Sequence, residues 1–190
     1  MSLVALAKQR AAESHCDIDF SLGSATALPW PDSSMDVCVV PELLEHVAEW
    51  ETCLREFSRV LRPHGVLFLT TSNKLCPVQQ EFNLPLYSWY PAPIKRRVER
   101  LAVTTRPELA NFAKYPAVNW FSFYGLRRYL ARFGFDSMDR FDVMDSSSKG
   151  NLAQMIVLAI RTISVLRFLA HMATPGTSVI AIKRSAVNRD

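Results

Sequence analysis

The feature that most constrains the fold is a pair of nearly continuous apolar runs, at 35–41 and 66–72, separated by one helical pattern. Such runs are typical of strands that are buried on both faces of a sheet. Between them, apolar residues recur every three or four positions, which predicts a helix over about 47–62. Pro63 and Gly65 then end the helix and turn the chain. Strand, helix and strand in this order predict a parallel βαβ unit with a right-handed crossover.

The remaining periodicities predict an α/β domain with five strands in all. Ser122 is placed to cap a helix that Gly134 ends. Residues 73–121 carry many prolines and aromatics and predict an irregular insertion with two short helices. The predicted helices lie at 3–14, 92–103, 106–113 and 122–133, and the other predicted strands lie at 17–22, 136–144 and 178–183.

The apolar segment 151–172 is long enough to be compared with a membrane span, but it contains Arg161 and Arg167. A charged side chain is costly at the centre of a bilayer, which argues against a span. Drawn as one helix, the segment has a narrow apolar stripe, which favours a helix packed on the sheet. A helix lying in a membrane interface is the alternative. The stripe consists of Met155, Ile156, Ala159, Ile163, Leu166 and Ala170.

Length and composition are those of one globular domain covering residues 1–190. The chain is 49% hydrophobic and 21% charged, which excludes a disordered chain. Its formal charge of +4 is unevenly spread, since residues 16–60 hold nine acids and two bases whereas residues 92–140 hold ten bases and four acids. The basic half predicts a face for an anionic substrate or a membrane surface, with an ordinary solvated surface as the alternative.

The cysteines show no CxxC motif and no metal-ligand spacing, so no metal site is expected. Reduced thiols and the absence of a signal peptide predict a cytoplasmic protein. No recognisable nucleic-acid motif accompanies the basic residues, so nucleic acid is not an expected partner. The four cysteines are Cys16, Cys38, Cys53 and Cys76.

Four short motifs within 17–73 together resemble one protein family. In order along the chain they are Gly23-Ser24-Ala25, Leu28-Pro29-Trp30-Pro31-Asp32, Leu44-Glu45-His46-Val47 and Leu61-Arg62-Pro63-His64-Gly65. This stretch is similar to the second half of the cofactor domain of class I S-adenosylmethionine-dependent methyltransferases, in their type 11 group. The resemblance implies a partial Rossmann-like sheet, with strands three to seven of the family's seven present and the first two absent.

The resemblance also implies S-adenosylmethionine as the cofactor. Ser24 and Ala25 stand where the family meets the adenine, and Leu28 stands where an apolar side chain packs on the adenine face. Serine replaces the family's carboxylate there, which weakens one hydrogen bond by about 1 kcal/mol. Pro41 removes a backbone N–H from the wall that lines the ribose and methionine parts. The implied cofactor-binding residues are Ser24, Ala25, Leu28, Val40, Pro41 and Glu42.

The family's glycine-rich loop has no counterpart in this sequence, because no two of its six glycines are close enough for a GxGxG motif. We therefore expect weak or no S-adenosylmethionine binding by this chain alone. Three explanations stay open: an N-terminally truncated chain, which we favour, a degenerate relative, or a partner chain that completes the sheet. Without the missing strand the apolar edge at 36–41 lies unpaired, and such edges aggregate.

His46 is the candidate catalytic residue, since an imidazole could take the proton of a hydroxyl acceptor. The alternative is that Glu45 and His46 only cap a helix. The insertion 73–121 supplies the implied acceptor-binding residues, which are Asn73, Trp89, Tyr90, Trp120 and Phe121, with a basic rim at Lys95, Arg96, Arg97 and Arg100. The alternative for each of these aromatics is a place in the core of this lid.

An aromatic pocket with a basic rim suits an apolar acceptor that carries an anionic group, such as a quinol precursor or a lipid. The resemblance thus implies a methyltransferase of small-molecule or lipid-like acceptors. Two other functions stay open. One is a catalytically silent, methyltransferase-like subunit, and the other is a peripheral membrane protein that uses the basic rim and residues 151–172.

Overall fold

The computed structural model describes residues 3–185, which form a four-stranded mixed sheet flanked by helices. The sheet order is β1-β2-β4-β3, with β1 parallel to β2 and β4 antiparallel to both of its neighbours. The strands are β1 Met35–Pro41, β2 Leu61–Ser72, β3 Phe135–Asp139 and β4 Gly176–Lys183; the helices are α1 Leu3–Glu13, α2 Trp50–Val60, α3 Ala92–Thr104, α4 Phe123–Ala131, α5 Arg140–Val143, α6 Gly150–Thr162 and α7 Ser164–Met172, and short 3₁₀ helices lie at Leu44–His46, Tyr87–Trp89 and Pro107–Ala110.

The predicted parallel βαβ unit is confirmed. Val37 of β1 pairs with Val66 of β2, and the register continues to Pro41 opposite Thr70. The crossover helix α2 buries its predicted stripe in the main core, where Leu54 is completely inaccessible. Inaccessible apolar side chains of this size each contribute about 1.5–3 kcal/mol relative to an exposed position. The core of the βαβ unit therefore holds the two parallel strands side by side.

The strand predicted at 17–22 is not formed. Residues 16–23 have no strand structure, and no other backbone in residues 3–185 pairs with residues 17–22. A strand is stabilised by a hydrogen-bonded neighbour, so the alternating pattern alone does not produce one. The sheet thus has four strands in the described part of the chain, whereas five were predicted.

The prediction that 35–41 is buried on both faces is also wrong. Val40 is buried, but Val37 and Val39 are 55% and 61% exposed. Successive side chains of a strand point to opposite faces, so Val37 and Val39 share one face, which is left uncovered in residues 3–185. β1 also lies at the edge of the sheet, with β2 on one side and no strand on the other among the residues described.

The strand predicted at 136–144 ends early, at Asp139. The Asp139 carboxylate accepts hydrogen bonds from the backbone N–H groups of Phe141 and Asp142, and the Asp142 side chain accepts from the Asp139 N–H. This reciprocal capping box begins helix α5 inside the predicted strand.

The single helix predicted at 151–172 is instead two helices, α6 and α7, bent by 105° at Ile163. Arg161 donates to the carbonyls of Phe141, Asp142 and Met144 at the end of α5, whereas Arg167 donates to Asp139. Six residues apart on one straight helix, the two arginines would point about 120° away from each other. The bend lets both of them face the protein.

Asp139 is the most connected polar residue of this region. It is completely buried, and its carboxylate accepts hydrogen bonds from Arg167 Nε and from the His171 ring, each at 2.8 Å. Burial raises the pKa of this carboxyl, but the bonds from His171 and Arg167 outweigh burial and hold the pKa well below its usual range. Asp139 thus ties β3, α5 and α7 together.

We expect Asp139→Ala to destabilise the protein by about 3–5 kcal/mol, because it leaves Arg167 without its buried partner and α5 without its cap. Urea unfolding at neutral pH measures the change. The matched control is Asp136→Ala, which removes an exposed pair with Arg184 and should have a much smaller effect, because solvent screens exposed pairs. Equal effects of the two substitutions would contradict the anchoring role.

Candidate functional site

A cavity of about 560 Å³ lies between the loop 21–30 and the open side of β1. Ser24 and Ala25 lie on its loop wall, and Val40 and Pro41 lie on its strand wall. Leu28, the predicted adenine-packing residue, also lines it. Five of the six predicted cofactor-binding residues are therefore brought to one cavity, although they come from two separate segments of the chain.

The loop wall of this cavity is held by Arg59 and Glu56 of α2. Arg59 donates to the carbonyls of Leu28 and Trp30 and to the Asp32 carboxylate. The Glu56 carboxylate accepts from the Leu28 N–H and from Arg59, and these bonds, Arg59 first, lower the pKa of Glu56 to about 2. The cavity wall is thus fastened to the crossover helix by charge-assisted hydrogen bonds.

Glu42, the sixth predicted residue, lies just past the end of β1 with a φ of 45°. This left-handed conformation is costly for a residue with a Cβ and is common at functional sites. The turn that follows is fixed from the insertion, because the Asn119 side chain donates to the carbonyls of Leu44 and Val47. The sequence analysis did not identify Asn119, since a lone asparagine in a loop carries no motif.

Glu45 is completely buried beneath this turn, and Thr71 of β2 donates to its carboxylate at 2.9 Å. Burial, followed by the neighbouring Glu42 carboxyl, raises the pKa of Glu45 to about 7. Neither the 3₁₀ helix Leu44–His46 nor α2 has a side-chain cap. The interpretation of Glu45 and His46 as helix caps is therefore wrong.

His46 lines a second cavity, of about 460 Å³, together with three cations and one acid, Glu99; we call it the cationic cavity. Arg96 and Arg100 reach it from one face of α3, four residues apart, and Lys114 reaches it from the opposite wall. None of these three cations forms an ion pair within residues 3–185. The His46 Nδ1 atom is buried and has no hydrogen-bond partner in the same part of the chain.

A third cavity, of about 480 Å³, is lined by the predicted aromatics Trp89, Tyr90 and Trp120. Lys95 also lines it, and its Nζ donates to the Ser88 carbonyl and lies 4.6 Å from the Trp120 ring centre. Burial, followed by the nearby charge of Lys74, lowers the pKa of Lys95. The predicted basic rim is thus divided, with Lys95 in the aromatic cavity and Arg96 and Arg100 in the cationic one.

Two of the predicted acceptor residues line none of these cavities. Asn73 is buried, and its side chain donates to the carbonyls of His171 and Thr174 and accepts from the Leu75 N–H. Phe121 is in the main core, with its ring centre 5.1 Å from that of Trp50. Both N–H groups of the Asn73 amide are used by these carbonyls, and the side chain holds the end of α7 against β2.

One group of side chains could hold a metal ion, although no metal site was expected. The ligand atoms of Glu45, His46 and Glu81 lie within 4.8 Å of one another. Glu81 accepts from Ser72 and comes from the irregular insertion, where the sequence carries no metal-binding motif. The same groups could instead move a proton at the edge of the cationic cavity.

Comparison with known proteins supports a single family. The sequence profile of the methyltransferase domain family matches residues 1–69. A ubiquinone biosynthesis O-methyltransferase of Brucella anthropi is 34% identical over 71 residues, which cover 37% of this chain and 29% of that protein. A demethylmenaquinone methyltransferase of Bacillus licheniformis is 35% identical over 72 residues, covering 37% of this chain and 31% of that protein. The matched segments thus span less than a third of these relatives.

Solved structures resemble the chain over nearly its whole length. An S-adenosylmethionine-dependent methyltransferase from Mesorhizobium loti superposes with a TM-score of 0.56 at 17% identity, covering 96% of this chain and 77% of that one. The [4+2]-cyclase SpnF superposes with a TM-score of 0.51 at 21% identity, covering 96% and 64%. At these identities the likeness shows the fold, which is the partial Rossmann-like fold that the motifs implied.

We expect folding stability to decrease by about 3 kcal/mol as the pH rises from 4.5 to above 7, through the titration of Glu45. The sign follows because folding raises the pKa of this acid. The folded state therefore binds the proton more tightly than the unfolded state, and this stabilisation is lost once the acid ionises. Glu45→Gln should remove this decrease, and Glu51→Gln, at an exposed position, should retain it. Urea unfolding at pH 5 and pH 8 measures both, and a pH dependence that Glu45→Gln leaves unchanged would contradict the assignment.

Proposed function

We propose, from the chain's membership of the class I S-adenosylmethionine-dependent methyltransferases, that it takes part in methyl transfer to a hydroxyl group of an aromatic acceptor that carries an anionic group. The observation that carries the proposal is the position of His46. A ring nitrogen lies within 4.8 Å of carboxylate oxygens of Glu45 and Glu81. The same side chain lines a cavity with the cations Arg96, Arg100 and Lys114, against one acid, Glu99.

The cavity beside β1 is suited to the nucleoside part of the methyl donor. Its volume of about 560 Å³ and its largely apolar wall suit a purine ring packed on Leu28. S-adenosylmethionine supplies an electrophilic methyl group when it is bound. The residues of this chain would then orient the acceptor hydroxyl and accept its proton, which are the main contributions that such a displacement requires.

His46 is the proposed proton acceptor. Its imidazole lines the cationic cavity, and a ring nitrogen lies within 4.8 Å of carboxylate oxygens of Glu45 and Glu81, which could take the proton onward. Burial, followed by the neighbouring Glu42 carboxyl, holds Glu45 at a pKa of about 7. A carboxyl group of that pKa is matched to proton transfer at neutral pH and supports His46 in this role.

The cationic cavity supports an acceptor with a negative charge. Arg96, Arg100 and Lys114 form no ion pair in residues 3–185 and outnumber the one acid of the lining, Glu99, so an anion placed among them would gain charge-assisted hydrogen bonds. The names of the relatives point to quinone precursors as their acceptors. A catechol ring with a carboxylate combines the two requirements and serves as a simple probe.

We expect the chain to bind 3,4-dihydroxybenzoate at least about tenfold more tightly than catechol, because a carboxylate gains about 1.5–3 kcal/mol from a charged donor. Arg100→Ala should remove most of this preference. Arg97→Ala is the matched control, since Arg97 is exposed on the same helix and does not line the cavity. Calorimetric titration of both ligands measures the ratio, and a preference that survives Arg100→Ala would contradict the anion site.

The transfer itself is tested with methyl-labelled S-adenosylmethionine and the same probe. The label should appear on a ring oxygen, and His46→Gln should reduce the rate about 100-fold without changing the preference for 3,4-dihydroxybenzoate.

The open edge of β1 favours a second candidate, a catalytically silent subunit that pairs with a partner chain. Binding of the probe without any transfer of label would support that candidate and contradict the enzyme.

A further inference from the structure

The helices α6 and α7 expose many large apolar side chains to solvent. Nine large apolar side chains of residues 152–169 are between 39% and 72% exposed. Scattered exposed apolar residues are ordinary, but a continuous apolar surface on a protein marks a site of interaction. The members of this outer face are Leu152, Met155, Ile156, Leu158, Ile163, Val165, Leu166, Phe168 and Leu169.

Helix α7 is amphipathic in the reverse of the usual sense. Arg167 and His171, four residues apart, face the protein and bind the buried Asp139. The opposite side carries Val165 and Leu169, which are 67% and 52% exposed. A surface helix of a globular protein has its charges outside and its apolar residues inside, so α7 has the pattern of a helix with an apolar medium outside.

Helix α6 repeats this reversed pattern. Its only charged side chain, Arg161, points inward to the carbonyls that end α5, and Val157 on the same side is buried. Leu158, Met155 and Ile156 cover the opposite side over an arc of about 160°, which is wider than a stripe for packing against one helix. Two consecutive helices therefore direct all their charge inward and their apolar surface outward.

The chemistry of the segment indicates what covers this face. Residues 150–172, which form both helices, contain no aspartate or glutamate, and their two arginines are bound within the protein, so the outer face is apolar and uncharged. No helix among residues 3–185 is by itself long and apolar enough to cross a membrane; α6 and α7 meet that criterion only as a pair, and the pair is bent by 105°. We propose that the outer face of α6 and α7 docks in the interface of a lipid bilayer without crossing it.

The test is flotation of the whole chain with vesicles of equal parts phosphatidylcholine and phosphatidylglycerol at low salt. The wild-type chain should float with the vesicles. The double variant Leu158→Asp and Val165→Asp should lower the partition coefficient at least about 100-fold, because two apolar side chains no longer enter the interface. The matched control is Val78→Asp with Phe112→Asp, which are 66% and 74% exposed elsewhere and should leave partitioning unchanged.

Both double variants replace exposed side chains, and thermal unfolding verifies that they fold. A wild-type chain that stays with the soluble fraction would overturn the proposal, and so would equal partitioning of the two double variants. Sedimentation velocity without lipid tests whether a second copy of the chain occupies this face instead. A stable dimer that Leu158→Asp and Val165→Asp dissociate would assign the face to a second copy of the chain instead of a bilayer.

Discussion

The parallel pairing of β1 with β2 is the constraint on which the rest of the molecule depends. Parallel strands place their carboxyl ends at the same edge of the sheet, so the chain leaving β1 meets the chain leaving β2. The hydrogen bond from Thr71 to Glu45 joins these two exits directly. The acids, His46 and the insertion are all assembled around that junction, because each of them follows one of the two strands.

A second layer of organisation is the direction in which charge is placed. At the junction, Glu45 is buried and its pKa is about 7. The cost of burying this carboxyl is reduced by the hydrogen bond from Thr71. At the far side of the sheet, Asp139 is buried as a carboxylate and is compensated by Arg167 and His171. The first arrangement leaves a group able to exchange a proton, whereas the second has no free capacity and holds helices in place.

The sequence predicted the βαβ unit well because its signals are local and strong: two apolar runs, one helical stripe and a Pro–Gly turn. Five of the six cofactor-binding residues that the family resemblance implied line one cavity, beside β1. The strand at 17–22 failed because alternation does not provide a neighbouring strand, and β3 was too long because the Asp139 cap depends on Asp142. The Glu–His–Glu group could not be predicted, since Glu81 joins it from a segment without a motif. The outward face of α6 and α7 depends on a bend that no glycine or proline marks.

The cavity between the loop 21–30 and β1 is proposed to hold the adenine end of the methyl donor. Saturation-transfer NMR with S-adenosylhomocysteine tests this most directly, because the method detects weak binding. We predict magnetisation transfer to the adenine protons in the wild-type chain and in Ala27→Trp, because the Ala27 side chain is exposed outside the cavity. Transfer should be lost in Ala25→Trp, which fills the cavity. Transfer that persists in Ala25→Trp, or that is absent from the wild-type chain, would contradict the claim.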